Sequence, residues 1–172
     1  IPHRGTLSRR FKILYEVILQ FVPFVAQWSA PLRDPFQAEM VYQDKSLFKA
    51  KGPVRHKKDI AANTIPKGLR GVDVDATWSK SDYHGWVFGY GLHMTTTVDD
   101  FPLLVDADTA SISEHEVLQR KQEQLLEMPT GYVIGDDGYT NFKRTKQWCD
   151  SGLLLVPPAL RATSERGCNY NP

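Results

Sequence analysis

Alternating apolar positions predict three strands in the first two-thirds of the chain. Residues 38–43 alternate between the two faces of an extended backbone and run directly into Asp44. The longest strand-like segment, 85–98, is rich in aromatic residues and threonine, which favour extended backbone. Its glycines indicate a bulge or a close approach of two backbones. A turn follows, and residues 101–107 are predicted to return alongside, so these strands would be antiparallel.

The N-terminal segment has the three- and four-residue apolar spacing of a helix. Thr6 or Ser8 is predicted to cap it, and Pro23 to interrupt or kink it. Its apolar positions are Phe11, Leu14, Ile18, Phe21, Val22 and Val25. Arg9 and Arg10 crowd the first turns, where the helix dipole disfavours positive charge. Two interpretations stay open: a core helix with a solvated basic end, or a helix whose basic end contacts phosphates.

The second half of the chain alternates helices with short apolar strands. Ser113 begins a capping box and opens a helix predicted to reach about residue 128. The residues predicted to face inward from that helix are Val117, Leu118, Leu125 and Leu126. Residues 133–134 form the next strand, a short helix contains Trp148, and residues 153–156 form the last strand.

Three strands followed by helix, strand, helix and strand predict an α/β fold with a mixed sheet, preceded by an N-terminal helix. The first three strands would be antiparallel, and the last two would join in parallel through helices. This order resembles the ribonuclease-H-like fold, in which the first and fourth strands are neighbours. Asp44 and Asp136 would then approach each other, which is costly for two carboxylates unless a cation lies between them. A divalent metal ion would resolve the conflict.

Composition places the chain among globular proteins. Its 172 residues suffice for one domain with a substantial core, and 41% of them are apolar. No apolar run is long enough to span a bilayer, so no membrane partner is expected. Cys149 and Cys168 are too few for a disulfide framework and favour a reducing cytoplasm. The sequence begins without Met or a signal-peptide pattern, from which we expect a fragment.

A net charge of +1 hides a basic segment between residues 43 and 71. Its basic residues are Lys45, Lys49, Lys51, Arg55, Lys57, Lys58, Lys67 and Arg70. Two aspartates oppose them there, and from residue 99 to 127 the balance reverses. Such a segment is suited to face a polyanion. The predicted domains are an N-terminal helical segment, 1–35, and an incomplete ribonuclease-H-like domain, 36–172, with a basic insertion at about 45–72.

Several motifs together resemble insertion-sequence transposases of the DDE class. The most specific signal pairs Gly-Tyr-x-Leu-His at 89–93 with Asp-x-Gly-Tyr at 136–139. Further matching segments are 6–10, 42–46, 102–104 and 110–113. The resemblance implies that Asp44 is the first catalytic acid and Asp136 the second. Asp75 is a rival for the first position because Asp-Ala-Thr at 75–77 resembles a family motif. Asp137 is interpreted as a neighbour and not a ligand.

The family's third acid, a glutamate on a helix after the last strand, has no clear counterpart here. Glu165 follows the last predicted strand too closely, in a stretch without helical periodicity. The prediction is therefore a DDE transposase that is partial or inactive and does not carry out transposition. The alternative is a non-catalytic DNA-binding remnant that interferes with the full-length enzyme. A related nuclease is a third hypothesis.

The implied chemistry is metal-assisted phosphoryl transfer on transposon-end DNA. Carboxylate oxygens favour Mg²⁺ or Mn²⁺ over zinc, and the resemblance makes Asp44 and Asp136 the metal ligands. The expected partner is double-stranded DNA, with a homo-oligomer as a further candidate. The residues expected to contact DNA phosphates are Arg55, Lys57, Lys58 and Arg70. The expected location is the cytoplasm, in association with the nucleoid.

Two other kinds of chemistry are less favoured by the sequence. The histidines are scattered and form no short-spaced motif with the cysteines, so structural roles are favoured over zinc binding for His56, His84, His93 and His115. Aromatic residues also alternate along one strand face. For these residues, Trp86, Phe88 and Tyr90, core packing is favoured over stacking on nucleic-acid bases.

Overall fold

A computed structural model describes residues 4–65, 67–69, 71–136 and 142–156 of the chain. Side chains are described for these residues except 4–13, 35, 38 and 142. In chain order the elements are α1 (Arg4–Ser29), a 3₁₀ turn (Ala30–Leu32), α2 (Pro35–Glu39), β1 (Met40–Lys49), α3 (Lys57–Ala61), β2 (Thr77–Ser81), β3 (Gly85–Thr97), β4 (Pro102–Thr109), α4 (Glu114–Leu126), β5 (Tyr132–Ile134), α5 (Phe142–Asp150) and β6 (Leu154–Val156).

The long strand β3 joins the antiparallel part of the sheet. Its first half pairs with β2, its second half pairs with β4 along the same edge, and its other edge pairs with β1. These pairings are antiparallel, whereas β1 pairs in parallel with β5, and β5 in parallel with β6. The strand order is β2-β3-β1-β5-β6, with β4 beside β3. The predicted α/β class with a mixed sheet is confirmed.

Two features of the antiparallel strands differ from the sequence prediction. β1 continues to Lys49, so Asp44 lies within the strand and not after it. The continuation follows β3 residue by residue, and the two backbones approach so closely at Gly89 that a side chain there would collide with the carbonyl oxygen of Phe48. The close approach predicted from the glycines is therefore confirmed. β2 was not predicted, because its five residues are mostly polar and carry a weak strand signal.

The core lies against one face of the sheet, where α4 and α5 pack. Its buried residues are Ala26, Val41, Leu103, Leu104, Leu118, Leu125, Val133, Trp148, Leu153 and Leu155. Alternation along β1 turns Val41 and Gln43 towards this core and turns Tyr42 and Asp44 away from it. The sheet therefore has one covered face and, among the described residues, one open face.

Helix α4 starts as predicted but differs in one inward position. Ser113 Oγ accepts a hydrogen bond from the backbone N–H of Glu116 (3.2 Å), which is the N-terminal cap that the capping box predicts. Leu126 is 45% exposed, contrary to its predicted inward position. Lys121 is buried instead, because it lies on the same helix face as Leu118 and Leu125.

Helix α1 continues through Pro23, so of the two effects predicted for this proline the interruption is wrong. Ala26 is buried in the core, and the Tyr15 hydroxyl donates to the carbonyl oxygen of Ala107 in β4 (2.6 Å). The helix therefore packs on β4 along one side, while Phe21 and Trp28 on another side are 58% and 70% exposed. No helix in the described part of the chain is both long and apolar enough to cross a membrane.

Candidate functional site

Two paired strands bring the predicted acids to neighbouring positions. In the parallel register of β1 with β5, Tyr42 lies opposite Ile134. Asp44 is two residues beyond Tyr42, and Asp136 is two residues beyond Ile134, so both aspartates follow this pair at the same level. Neighbouring strands lie about 4.8 Å apart. Both aspartates are exposed, and Asp136 follows the carboxyl end of β5.

Asp44 lines a shallow cavity on the open face of the sheet. The cavity measures about 290 Å³, and its walls come from β1, β3 and the turn before β4. Its lining residues are Tyr42, Asp44, Ser46, Leu92, Met94, Thr96 and Asp100. The carboxylate of Asp44 is thus accessible to a ligand that lies along the strands.

Lys45 points to the opposite, covered face and fixes the loop before α4. Its Nζ donates to the carbonyl oxygens of Ala110 (3.0 Å) and Ile112 (2.8 Å). Burial lowers the pKa of Lys45, and the acidic groups Glu114, Asp108 and Asp136 oppose that shift. Through these contacts β1 holds the first turn of α4 close to the aspartates.

Glu114, the first residue of α4, is a third carboxylate near this site. Burial raises its pKa, the negative charges of Asp136 and Asp44 raise it further, and Lys45 opposes the shift. In sequence Glu114 is only part of a capping box, and its proximity to the aspartates results from the packing of α4 on β1. Burial is the main cause of the raised pKa, and the smaller contributions of Asp136 and Asp44 place their charges within electrostatic reach of Glu114.

Asp44 and Asp136 both interact electrostatically with Glu114, but the three side chains are not arranged as ligands of one metal ion. Within the described ranges, no group of three or more His, Cys, Asp or Glu side chains is arranged to hold a metal ion. Alternation along β1 explains part of this result, because Asp44 faces the open side of the sheet while Lys45 and the start of α4 lie on the covered side.

Asp75, the rival first acid, lies far from Asp136 in the sheet. It precedes β2, and β3 and β1 separate β2 from β5. Three strand spacings amount to roughly 14 Å. The backbone N–H of Asp75 donates to the carboxylate of Asp73 (3.2 Å), which also accepts a hydrogen bond from the Tyr90 hydroxyl (2.8 Å). Asp75 therefore belongs to a local turn at the far end of the sheet.

Several predicted residues fall where the structure gives no description of the side chain. Asp137, Glu165 and Arg70 lie outside the described residues. Arg9 and Arg10 lie in α1, but their side chains are not described. Their predicted roles stay predictions.

Arg55 has an internal role that the sequence prediction did not anticipate. Arg55 is only 3% exposed. Its guanidinium donates hydrogen bonds to the backbone carbonyl oxygens of Val74 (3.2 Å), Asp59 (3.1 Å) and Thr64 (2.9 Å). Trp78 Nε1 donates in turn to the carbonyl oxygen of Arg55. Arg55 thereby orders the basic insertion from within, because its donors are directed at backbone and not at solvent.

Lys57 and Lys58, which are predicted to contact DNA phosphates, lie on the surface. Both lie in the short helix α3 and are exposed. Lys57 Nζ lies 3.6 Å from the centroid of the Trp86 ring, a cation–π contact. The expected burial of Trp86 is wrong, since it is 55% exposed, whereas Phe88 is buried against Trp78. The insertion therefore combines accessible charge with an accessible aromatic ring.

Behind the aspartates, the covered face of the sheet carries buried polar groups. His93 is fully buried, and its ring nitrogens have no hydrogen-bond partner among the described residues. Burial, together with the charges of Lys45, Lys121 and Arg120, lowers the pKa of His93 to about 4. Burial also lowers the pKa of Lys121 to about 8, and its Nζ donates to the carbonyl oxygen of His93 (3.2 Å). His93 is therefore neutral near pH 7.

No known protein family, curated protein or solved structure matches this chain. The resemblance to transposases therefore rests on the motifs of the sequence alone. What the structure adds is geometric: it places Asp44 in β1 and Asp136 two residues beyond the neighbouring β5, it brings Glu114 within electrostatic reach of both, and it leaves Asp75 at the far end of the sheet.

Proposed function

We propose that the chain is a ribonuclease-H-like DDE transposase, or a copy of its catalytic domain, that acts on DNA by metal-assisted phosphoryl transfer. The observation that carries the proposal is the parallel pairing of β1 with β5, because Asp44 and Asp136 each lie two residues beyond the register pair Tyr42 and Ile134. The strand order gives further support, because β1, β3 and β4 are antiparallel and β5 and β6 add in parallel through helices. Both aspartates also lie in the motifs that resemble the family.

The donor chemistry of the site suits a hard divalent cation. Asp44 and Asp136 offer carboxylate oxygens, the ligands that Mg²⁺ and Mn²⁺ prefer. The raised pKa of Glu114 supports the same conclusion, because its first cause after burial is the charge of Asp136. Bound there, such an ion would supply the Lewis acidity that activates water and stabilises a leaving oxygen.

The residues of the chain would position the reacting groups. In the hydrolytic step, a water oxygen forms a bond to phosphorus and the bond from phosphorus to the 3′ oxygen breaks. The water proton passes to a carboxylate of the site, and the leaving 3′ oxygen takes up one proton from that carboxyl group or from solvent. The products are a 3′ hydroxyl and a 5′ phosphate. Lys45 keeps Glu114 close to the aspartates through the loop carbonyls that it binds. Lys57 and Lys58 would contact phosphates of the same DNA.

A second candidate function is binding to DNA without cleavage. The observation that favours it is that no three acids in the described part of the chain are arranged to hold a metal ion. A two-metal reaction needs enough ligands to fix both ions and the phosphate between them. A protein that lacks them would occupy transposon ends and compete with an active transposase.

Cleavage of end-labelled DNA separates these functions. The substrates are duplexes from either side of the gene, where transposon ends are expected, incubated with Mg²⁺ or Mn²⁺. For an enzyme, Asp44→Asn and Asp136→Asn should each lower the rate on the order of 10³-fold, from the loss of several kcal/mol of transition-state stabilisation. Asp75→Asn is the matched control and should cut at the wild-type rate.

Each other outcome has a defined meaning. Binding without any cut strand would support the second function. Loss of cleavage in Asp75→Asn, with Asp44→Asn unaffected, would overturn the assignment of the first acid. Thermal unfolding gives a readout without activity, since Mn²⁺ that binds the site should raise the Tm of the wild type and not that of Asp44→Asn.

Phosphate contacts by α3 are tested through the salt dependence of binding. Lys57→Gln and Lys58→Gln should weaken binding to all duplexes alike, and each should flatten the plot of log affinity against log salt by about one unit. Lys146→Gln, an exposed lysine of α5, is the matched control. Slopes that stay unchanged in both variants would return α3 to the role of a solvated surface helix.

A further inference from the structure

The hairpin formed by β2 and β3 has a turn of fixed geometry. Ser81 pairs with Gly85, so a three-residue turn, 82–84, connects the strands. Ser81 Oγ accepts hydrogen bonds from the backbone N–H groups of Tyr83 and His84, both at 3.2 Å. Gly85 has a φ of +69°, which a residue with a side chain rarely adopts. The Ser81 hydroxyl therefore orders the turn by binding its backbone N–H groups.

This ordered turn presents aromatic rings to solvent. Tyr83 is 90% exposed, and the His84 ring meets it edge-on with centroids 4.7 Å apart. Trp86, two residues further along β3, is 55% exposed. The core does not need either ring, because Trp78 and Phe88 pack against each other in the same hairpin. Large aromatic groups held in water on a rigid support are typical of a binding surface.

Cations lie beside the Trp86 ring at the base of the turn. Lys57 Nζ contacts the Trp86 ring at 3.6 Å, and Lys80 lies directly opposite Trp86 in the register of β2 with β3. Lys58 follows Lys57 in α3 and, like Lys80, is exposed. Asp82 in the turn is the opposing carboxylate. Exposed rings beside several lysines match a ligand that combines flat apolar faces with phosphates.

We propose that this hairpin tip, Lys80–Trp86 together with Lys57 and Lys58, binds the unpaired bases of single-stranded DNA. Tyr83 and Trp86 would stack on bases, and the lysines would contact the adjoining phosphates. In a duplex the base faces are covered by their neighbours, so the tip prefers DNA that is unpaired. The choice of DNA as the polyanion rests on the proposed function.

The position of the tip relates it to the candidate acids. Trp86 and Met94 lie on the same face of β3, and Met94 is the register partner of Asp44. Eight residues of strand separate them, roughly 27 Å. That length corresponds to about eight nucleotides at the spacing of one duplex strand. A DNA strand that is held at the tip can therefore extend along the open face of the sheet to Asp44.

Fluorescence anisotropy in EDTA tests the tip without any cleavage. The probes are a labelled mixed-sequence single strand and the duplex made from it. The wild type should bind the single strand more tightly. Tyr83→Ala and Trp86→Ala should each weaken that binding roughly 5- to 150-fold, the range for loss of one stacked base, while Tyr83→Phe keeps it. Trp28→Ala, which removes a 70% exposed tryptophan from α1, is the matched control.

Tryptophan fluorescence and circular dichroism distinguish a loss of stacking from misfolding of a variant. A base stacked on Trp86 quenches its fluorescence, so the single strand should quench the wild type and quench Trp86→Phe much less, with unchanged circular dichroism. Equal affinity for both probes, or unchanged affinity of Tyr83→Ala, would overturn the proposal. Equally tight binding of single-stranded RNA would overturn the choice of DNA as the ligand. Asp44→Asn should keep the preference, so failure of the tip and failure of the proposed cleavage are seen separately.

Discussion

The two faces of the central sheet differ in what covers them and in what their side chains do. On the covered face, Val41 and Val133 are completely buried beneath α4 and α5. On the open face, Tyr42 and Tyr132, which occupy alternate positions of the same strands, are 41% and 38% exposed. The covered face therefore holds the fold together, while the open face presents Asp44.

This contrast explains why the candidate site draws residues from both sides of the sheet. Asp44 is on the open side, whereas Lys45 and Glu114 approach from the covered side. A carboxylate on the covered face would lose hydration, and its charge would be costly unless paired. An acid on the open face keeps its charge and its access to a ligand.

Two adjacent leucines of β6 provide a direct comparison of the faces. Leu155 is 1% exposed in the core, and Leu154 is 40% exposed on the other side. Leu155→Ala should lower the free energy of unfolding by about 2–5 kcal/mol, because it leaves a cavity. Leu154→Ala should cost less than about 1 kcal/mol, as is usual for surface changes. Urea unfolding measures both, and equal losses would show that the open face is also covered.

His93 should make the covered face sensitive to acid. Its pKa is lowered to about 4, whereas the unfolded imidazole has a pKa near 6.5. The unfolded state therefore binds more protons between these values, so this contribution is complete above pH 6.5 and is lost as the pH falls towards 4. The loss reaches up to about 1.4 kcal/mol per pH unit.

Unfolding of His93→Leu across this pH range measures the effect. The variant should show a flatter decline in stability than the wild type. His84→Gln, at the exposed turn, is the control and should keep the wild-type slope. The same decline in His93→Leu would assign the acid sensitivity to other groups.

Glu114 should be a small cost to stability. Because its folded pKa is raised, stability falls as pH rises from the unfolded pKa through the folded pKa, and the cost is complete above the folded pKa. Glu114→Gln should therefore unfold at a higher temperature than the wild type at pH 7. Glu116→Gln, in the same helix turn, should act in the opposite direction, by up to about 0.5 kcal/mol, because it removes an exposed ion pair with Arg120 (2.7 Å). A destabilised Glu114→Gln would contradict the crowding of negative charge.

Elements with strong local patterns could be predicted from the sequence. The capping box at Ser113 and the apolar segments that became β3 and β4 carry their signals within a few residues. β2 could not, since its polar residues become extended only through pairing with β3. The exposed side of α1 could not be foreseen either. Phe21 has the spacing of a core residue, and which of two apolar helix sides is buried depends on where β4 lies.

The candidate site also contains residues that the sequence could predict and residues that it could not. The motifs pointed to Asp44 and Asp136, and the order of strands predicted that their strands pair. Glu114 could not be found, because only the packing of α4 on β1 brings it near them. Arg55 counted as one more cation in a basic segment. Its burial follows from the path of the insertion around it, which periodicity does not encode.

The pairings of β3 and β1 also set an order of assembly during synthesis. β1, β2, β3 and β4 are consecutive strands joined by antiparallel pairings, so they can associate as soon as β4 has left the ribosome. β5 joins β1 across about ninety residues and needs α4 to cross over first. Until then β1 has an open edge, the kind of strand edge that recruits other chains. The two aspartates therefore become neighbours late in folding, and a nascent chain that pauses earlier has no assembled acidic pair.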